Sequence, residues 1–164
     1  MAPHCPVTSG VRSLREKGIP FQPCLYRYME GGGTARAAAE LGVPEHTVIK
    51  TLVMCSDAKQ VLLVLMHGDC QVSTKKLARA LVAKTVAPCD RITAEKTAGY
   101  TVGGISPFGT RSVLPVFVES SILELDRIYI NAGKRGFLVA IDPQNLRRAF
   151  PLVEVSVALP PNGG

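Results

Sequence analysis

Two apolar segments constrain this chain more than any other part of it. Val48–Cys55 and Gln60–His67 are dense in β-branched and aliphatic residues, the composition of strands that pack on a pleated surface. A short connection containing Asp57-Ala58-Lys59 separates them, so they are expected to pair as an antiparallel hairpin. A hairpin of this apolarity needs further strands beside it and helices over it. Val113–Val118, Arg127–Ile130 and Phe137–Ile141 read as further strands. Ile19–Tyr28 reads as an extended segment that Pro23 confines to a sheet edge.

Between the strands lie helix signals made of local chemistry. Thr8 or Ser9 caps a first helix that runs through Lys17 and stops at Gly18. After the break Gly31-Gly32-Gly33, Thr34 caps an alanine-rich helix ending at Leu41-Gly42, and Pro44 opens another helical turn. Ser73 caps a helix with Leu77, Ala80 and Leu81 on its apolar face and Lys75, Lys76 and Arg79 elsewhere. Asp90 caps a shorter helix that Gly99 ends, and Asp142-Pro143 opens one that reaches about Phe150. The tail from Leu159 to Gly164 is expected to fray. The expected class is α+β: one domain over residues 1–164, its core at about 8–157, with a mixed, largely antiparallel sheet.

Composition narrows the function classes. At 164 residues, with 46% hydrophobic and 20% charged, the chain can bury a core and is not disordered. No apolar run approaches a membrane span, so no membrane partner is expected. Met1-Ala2-Pro3-His4-Cys5-Pro6 lacks the basic and apolar regions of a secretory leader, which points to the cytoplasm. Cysteines at 5, 24, 55, 70 and 89 are odd in number and widely spaced, the pattern of reduced thiols, with Cys55 expected in the core. The net charge of +6 favours an anionic partner, nucleic acid or a phosphorylated small molecule. Lys75, Lys76, Arg79, Lys134, Arg135, Arg147 and Arg148 are the clusters placed to meet phosphate, each also readable as solvated surface.

The run Gly99-Tyr100-Thr101-Val102-Gly103-Gly104-Ile105-Ser106-Pro107-Phe108-Gly109-Thr110 carries most of the functional signal. Four glycines and a proline in twelve residues exclude a helix and weaken a strand. Gly103 and Gly104 leave no Cβ in the way, so their N–H groups could converge on one oxygen. Conventional catalytic sets are absent. His4, His46 and His67 are the only histidines, and His67-Gly68-Asp69-Cys70 reads as a turn after a strand as readily as a thiol site. His-x-x-x-His and Cys-x-x-Cys spacings, a Gly-x-Ser-x-Gly elbow and a phosphate-binding P-loop are all missing, so neither metal nor cofactor is expected. Lys50 remains open on the residues alone: an outward lysine on an edge strand, or a compact cationic donor facing a pocket.

Several of these segments together resemble the YbaK family. They are Val48-Ile49-Lys50-Thr51-Leu52-Val53, Gly99–Thr110 and Ile128-Tyr129-Ile130-Asn131-Ala132-Gly133-Lys134-Arg135-Gly136. Gly18-Ile19-Pro20-Phe21, Tyr26 and Ala38-Ala39-Glu40-Leu41-Gly42 match as well, in the family's order, over roughly residues 8–157. These are stand-alone aminoacyl-tRNA deacylases related to the editing insertion domain of bacterial prolyl-tRNA synthetase. The resemblance implies a barrel-like sheet with surrounding helices, and hydrolysis of the ester that joins a wrong amino acid to the acceptor end of tRNA. It implies Lys50 as the functional lysine, Gly103 and Gly104 as the lining of the ester and adenosine site, and Tyr26 as a pocket tyrosine. Ser106, Asn131 and Gly133 fall on the same motifs as substrate-binding positions. Prolyl-tRNA synthetase or another synthetase is the implied protein partner.

The chain departs from the cysteine-specific members at three places. Those members carry an aromatic residue where Gly31-Gly32-Gly33 stands, a serine at Asn131 and often an acidic residue near Leu138. Related subfamilies act on alanine, serine or threonine, and Asn131 would suit a hydroxyl. Without a histidine base or protein nucleophile, such a site works by orientation, with attack by a substrate group or a held water. Two other readings compete: a tRNA-binding relative without turnover, and a hydrolase of a small phosphorylated or acyl metabolite.

Overall fold

A strand buried on both faces organises the molecule. In a computed structural model that describes residues 4–161, the elements in chain order are α1 (Ser9–Glu16), β1 (Gln22–Leu25), α2 (Gly33–Leu41), β2 (Val48–Ser56), β3 (Val61–His67), β4 (Gln71–Val72), α3 (Thr74–Leu81) and β5 (Val86–Pro88). They continue with α4 (Arg91–Ala98), β6 (Val116–Glu119), β7 (Ile128–Lys134), β8 (Phe137–Ile141), α5 (Leu146–Ala149), β9 (Leu152–Val155) and β10 (Ala158–Leu159). β3 explains its own sequence. Leu63 and Leu65 join one core cluster with Val11, Leu14, Phe108 and Ile130, while Leu62, Val64 and Met66 face a second cluster with Met54 and Leu77. A strand covered on both sides needs an unbroken apolar run rather than an alternating one.

The sheet order is β1-β8-β7-β2-β3-β6-β9, with β5 also on β2, and β4 and β10 form a separate pair. β2 and β3 pair antiparallel from Ile49–His67 to Cys55–Val61, the expected hairpin. The β7–β2, β3–β6 and β6–β9 contacts are parallel, so the sheet is mixed. β1 sits at one end, and Pro23 is accommodated there opposite Val139 because its outer edge needs no donor. The opposite end is β9, which is not paired to β1.

One consequence of this topology positions the site. Along the edge of β2 away from β3, β7 pairs only with Val48 and Ile49, and β5 only from Met54 to Ser56. Lys50, Thr51 and Leu52 therefore have no ladder partner on that edge. The sheet splits there, and the split opens a gap beside Lys50.

Several local expectations are corrected. Thr34 does not cap α2: the N-cap is Gly32, and the Thr34 hydroxyl instead donates to Glu45 Oε2 at 2.7 Å, with the Gly68 carbonyl at 3.1 Å. On α3, Ala78 and not Ala80 joins Leu77 inside. Val113 is fully exposed and the strand begins only at Val116. Cys55 is half-buried at the sheet surface, and Cys70 is the buried thiol. The segment after Asp142 is a three-ten turn, Pro143–Asn145, before α5. Ala158 and Leu159 pair with β4 and so are not frayed. The expectations for Met1–Pro3 and for Asn162–Gly164 lie outside the described residues. No helix among the described residues is long and apolar enough to cross a membrane.

Candidate functional site

A cavity of about 380 Å³ opens at the split in the sheet. Four of the residues singled out in the sequence, Tyr26, Lys50, Gly103 and Asn131, line it. Lys50 is half-buried, and its ammonium makes no hydrogen bond or ion pair with the described residues. Burial lowers its pKa from the usual lysine value, partly offset by Cys70, Glu45 and Asp69 nearby. Of its two open readings, the pocket-facing one holds. Burial also raises the pKa of Tyr26.

The glycine run forms the facing wall and is held from several directions. Glu95 Oε2 accepts the Val102 N–H at 2.7 Å, and Arg135 Nε donates to the Val102 carbonyl at 2.9 Å. The Arg135 guanidinium lies 5.2 Å from the Tyr28 ring centroid, a cation–π contact. Tyr100 OH donates to the Phe108 carbonyl at 2.5 Å and ties the loop's far end. Glycine is required at the tip. Gly103 has φ +96°, and a Cβ there would fall 2.8 Å from Tyr28 OH. A Cβ on Gly104 would fall 2.8 Å from the Arg135 backbone nitrogen.

The expected convergence of two N–H groups is not what the loop does. Gly104 N–H donates to the Thr101 carbonyl at 2.8 Å, closing the turn. Gly104 does not line the cavity, whereas Gly103 does and its N–H has no partner among the described residues. Of the two amides only that of Gly103 is left without a partner, because a tight turn consumes the amide of its fourth residue.

Asn131 lines the cavity, but its amide is spent within the wall. Oδ1 accepts from Gly133 N–H at 2.6 Å and Lys134 N–H at 3.2 Å, and Nδ2 donates to the Lys134 carbonyl at 3.1 Å with the Gly103 carbonyl at 3.4 Å. These bonds sit at the register shift between Asn131 and Lys134 in β7, where the β8 ladder is interrupted. Gly133 belongs to this shift, away from the cavity, with Tyr100 packed so close that a Cβ would meet its ring at 2.5 Å. Ser106 is also brought elsewhere. It is fully buried, and its Oγ accepts the Phe108 N–H at 3.1 Å.

Of the further lining residues, Gly31, Gly33 and Leu138 fall where the sequence departs from the cysteine-specific members, while Thr51, Tyr28 and Arg36 carried no sequence signal. Thr51 Oγ1 is buried without a hydrogen-bond partner, the one such side-chain atom among the described residues, and Thr51 lines this cavity. Gly31 and Gly33 line the mouth, and nothing lies within 4 Å of where their side chains would be. Tyr28, Arg36 and Leu138 also line the cavity. The orphaned hydroxyl has no sequence signature, since it arises only from the split beside β2.

Below Lys50 the histidines form a scaffold. His67 is 1% exposed, with Nδ1 2.7 Å from the His46 carbonyl and Nε2 2.7 Å from Ser121 Oγ. Its ring stacks on His46 at 3.6 Å, and His46 Nδ1 lies 2.8 Å from Asp69 Oδ1. Burial lowers the pKa of His67. Burial pushes Asp69 up, but the His46 hydrogen bond and charge outweigh it and hold the carboxyl below its usual value. His46, Asp69 and Cys70 bring three possible metal-ligand atoms within 4.8 Å. Burial and the adjacent Asp69 push the free Cys70 thiol up to about 11, so it stays protonated at neutral pH and is a poor nucleophile. Hydrogen bonding accounts for the cluster.

The comparisons with known proteins bear on family and fold. Over 138 residues the chain is 28% identical to an Enterococcus faecalis protein named "Putative Cys-tRNA(Pro)/Cys-tRNA(Cys) deacylase EbsC", covering 84% of each chain. It is 26% identical over 119 residues to the proline–tRNA ligase of Lactobacillus helveticus, of which it covers 20%. The fold is shared with a solved structure described as "a putative trans-editing enzyme for prolyl tRNA synthetase", at a TM-score of 0.81 and 17% identity, over 93% of this chain and 98% of the other. The family model of the aminoacyl-tRNA editing domain matches residues 30–149, which take in Lys50, the glycine wall and the Asn131 shift, and the chain belongs to that family.

Proposed function

We propose that this protein is a trans-editing deacylase that hydrolyses the ester between a wrong amino acid and the 3′ end of tRNA, of the Cys-tRNA(Pro) type or of a related alanine, serine or threonine type. The observation that carries the reading is an unpaired Lys50 facing the Gly103 wall across one cavity. Attack on the ester carbon puts negative charge on the carbonyl oxygen, which needs donors already in place. The Lys50 ammonium and the unpartnered Gly103 N–H are those donors. The attacking oxygen or sulfur bonds to carbon, the ester C–O bond breaks, and the proton ends on the released ribose oxygen. With no free histidine at the cavity, the nucleophile is a held water or a group of the substrate itself.

The amino-acid side chain meets the part of the cavity wall lined by Tyr26, Thr51 and Leu138. Gly31 and Gly33 leave the mouth wide enough for the terminal adenosine. Mischarged tRNA reaches this protein in the cytoplasm, from prolyl-tRNA synthetase or another synthetase. The test is release of labelled amino acid from Cys-, Ala-, Ser-, Thr- and Pro-charged tRNA, by wild type beside Lys50→Ala. Selective release of one non-proline amino acid, lost in the variant, is the expected result. A wild-type protein that binds tRNA and releases nothing overturns the reading in favour of a binding protein.

A further inference from the structure

Lys50 borders two cavities. The second, of about 200 Å³, is lined by Leu52, Met54, Val72 and Pro88, with Gln71 and Thr74. It exists for the same reason as the first: β5 reaches β2 only at Met54, which leaves Leu52 without a neighbour. Its rim runs into α3. There Ser73 accepts the Lys76 N–H, and Leu77 and Ala78 anchor the helix in the core. The outer face carries Lys75, Lys76 and Arg79, and α3 has no acidic residue. None of these three side chains makes an ion pair or hydrogen bond with the described residues.

Of the chain's other clustered cations, Lys134 is likewise unpaired among the described residues, but the three arginines differ. Arg147 is paired with Glu154 at 3.1 Å, Arg148 donates to the Lys17 and Gly18 carbonyls, and Arg135 is engaged with Val102 and Tyr28. Those guanidinium groups hold the fold together. The α3 cations are unspent, and α3 begins at Thr74, which lines the second cavity together with Lys50.

We propose that the second cavity and the outer face of α3 form the track for the unpaired 3′ strand of tRNA, the nucleotides that precede the terminal adenosine. The cavity receives a base between its apolar walls, with Gln71 at its edge, and Lys75, Lys76 and Arg79 meet the phosphates. Sequence-tolerant grooves for single strands are built this way, from a base platform beside a cationic rail. The inference rests on the deacylase reading for the identity of the ligand. It goes beyond it in assigning the path of the strand.

The test measures binding of uncharged tRNA against salt, so that no chemistry is required. The Lys75→Glu, Lys76→Glu, Arg79→Glu triple variant is expected to bind about tenfold or more weakly and to show a shallower salt slope, by about 0.7 for each phosphate that is no longer neutralised. Lys59→Glu, in the turn between β2 and β3, is expected to bind within about twofold of wild type. Gln71→Trp adds the only tryptophan to a chain that has none. Its emission is expected to change with intact tRNA and not with tRNA trimmed of its last three nucleotides. A triple variant that binds like wild type, a Lys59→Glu variant that loses as much, a wild type that binds no tRNA, or a Gln71→Trp signal indifferent to trimming overturns the track. A wild type that binds through α3 but releases no amino acid leaves the track standing and removes the deacylase reading.

Discussion

The two walls of the first cavity are held by different means. On one side, β2 gains its position from a seven-pair ladder to β3 and from cores on both faces, so Lys50 and Thr51 stand on a rigid support. On the other, the glycine run has no ladder at all. It is placed by Glu95, Arg135, Asn131 and Tyr100, each bonding to its backbone. The strand wall tolerates side-chain change because its backbone is redundantly fixed. The glycine wall is intolerant because its backbone depends on close fits and a few polar side chains. Polar functional groups on such a pair of walls separate naturally, a cation from the strand and a backbone donor from the loop.

Substitutions sharpen this contrast. The largest effect is expected at Lys50→Ala, which should lower kcat/KM for the edited tRNA about 100- to 1,000-fold, the cost of losing one oxyanion donor. Its urea midpoint should be unchanged, because the side chain bonds to nothing. An equal loss of stability would mean that the strand wall is not the rigid one. Next comes Gly104→Ala, where the added methyl meets backbone nitrogen rather than a movable side chain. It should cost about 1–3 kcal/mol in denaturant unfolding, with activity falling alongside. Free tolerance of the methyl would show a loop that moves.

Asn131→Ala removes acceptor and donor from the β7 shift together and should cost about 2 kcal/mol, since backbone N–H groups are left unpaired. Kinetics of the remaining folded protein should show a raised KM if the loop loosens. The strand side has a pH signature of its own. His67 gives up its proton more readily folded than unfolded, so below the ordinary histidine pKa of 6.5 the unfolded chain binds more protons. Stability should therefore be full above that value and fall as pH drops below it, by at most about 1.4 kcal/mol per unit. The fall levels off once the folded ring also protonates, and His67→Gln should remove it. Smallest is Thr51→Val. Deleting an unpartnered buried hydroxyl should leave stability unchanged or raise it by less than about 1 kcal/mol, with the ratio of amino acids released unchanged.

Much of the fold was legible because its causes are local. Thr8, Ser73 and Asp90 cap their helices as expected, since each accepts from an N–H three residues on. The hairpin of β2 and β3 followed from two apolar runs and a short connection. Thr34 failed as a cap because Glu45 and Gly68, distant in the chain, offer its hydroxyl a better partner. β4, β5, β9 and β10, two to four residues each, left no pattern long enough to read. Val113 and Leu114 looked like strand yet pair with nothing, because β propensity reports fit to a sheet that must first be adjacent.

Of the candidate site, the sequence by itself determined the parts: a lysine in an apolar strand, a glycine run that no helix or strand can absorb, and the motif order of an editing domain. Tertiary structure alone decided how they are used. It showed that Gly104 spends its N–H on a turn, that Asn131 clasps the wall from within, and that Ser106 is sealed behind it. It also opened the gap at Lys50, because β7 and β5 each cover one end of β2 and leave its middle bare. Residue identities carry local preferences, but which hydrogen-bonding groups remain free for a ligand depends on which distant segments have already taken the rest.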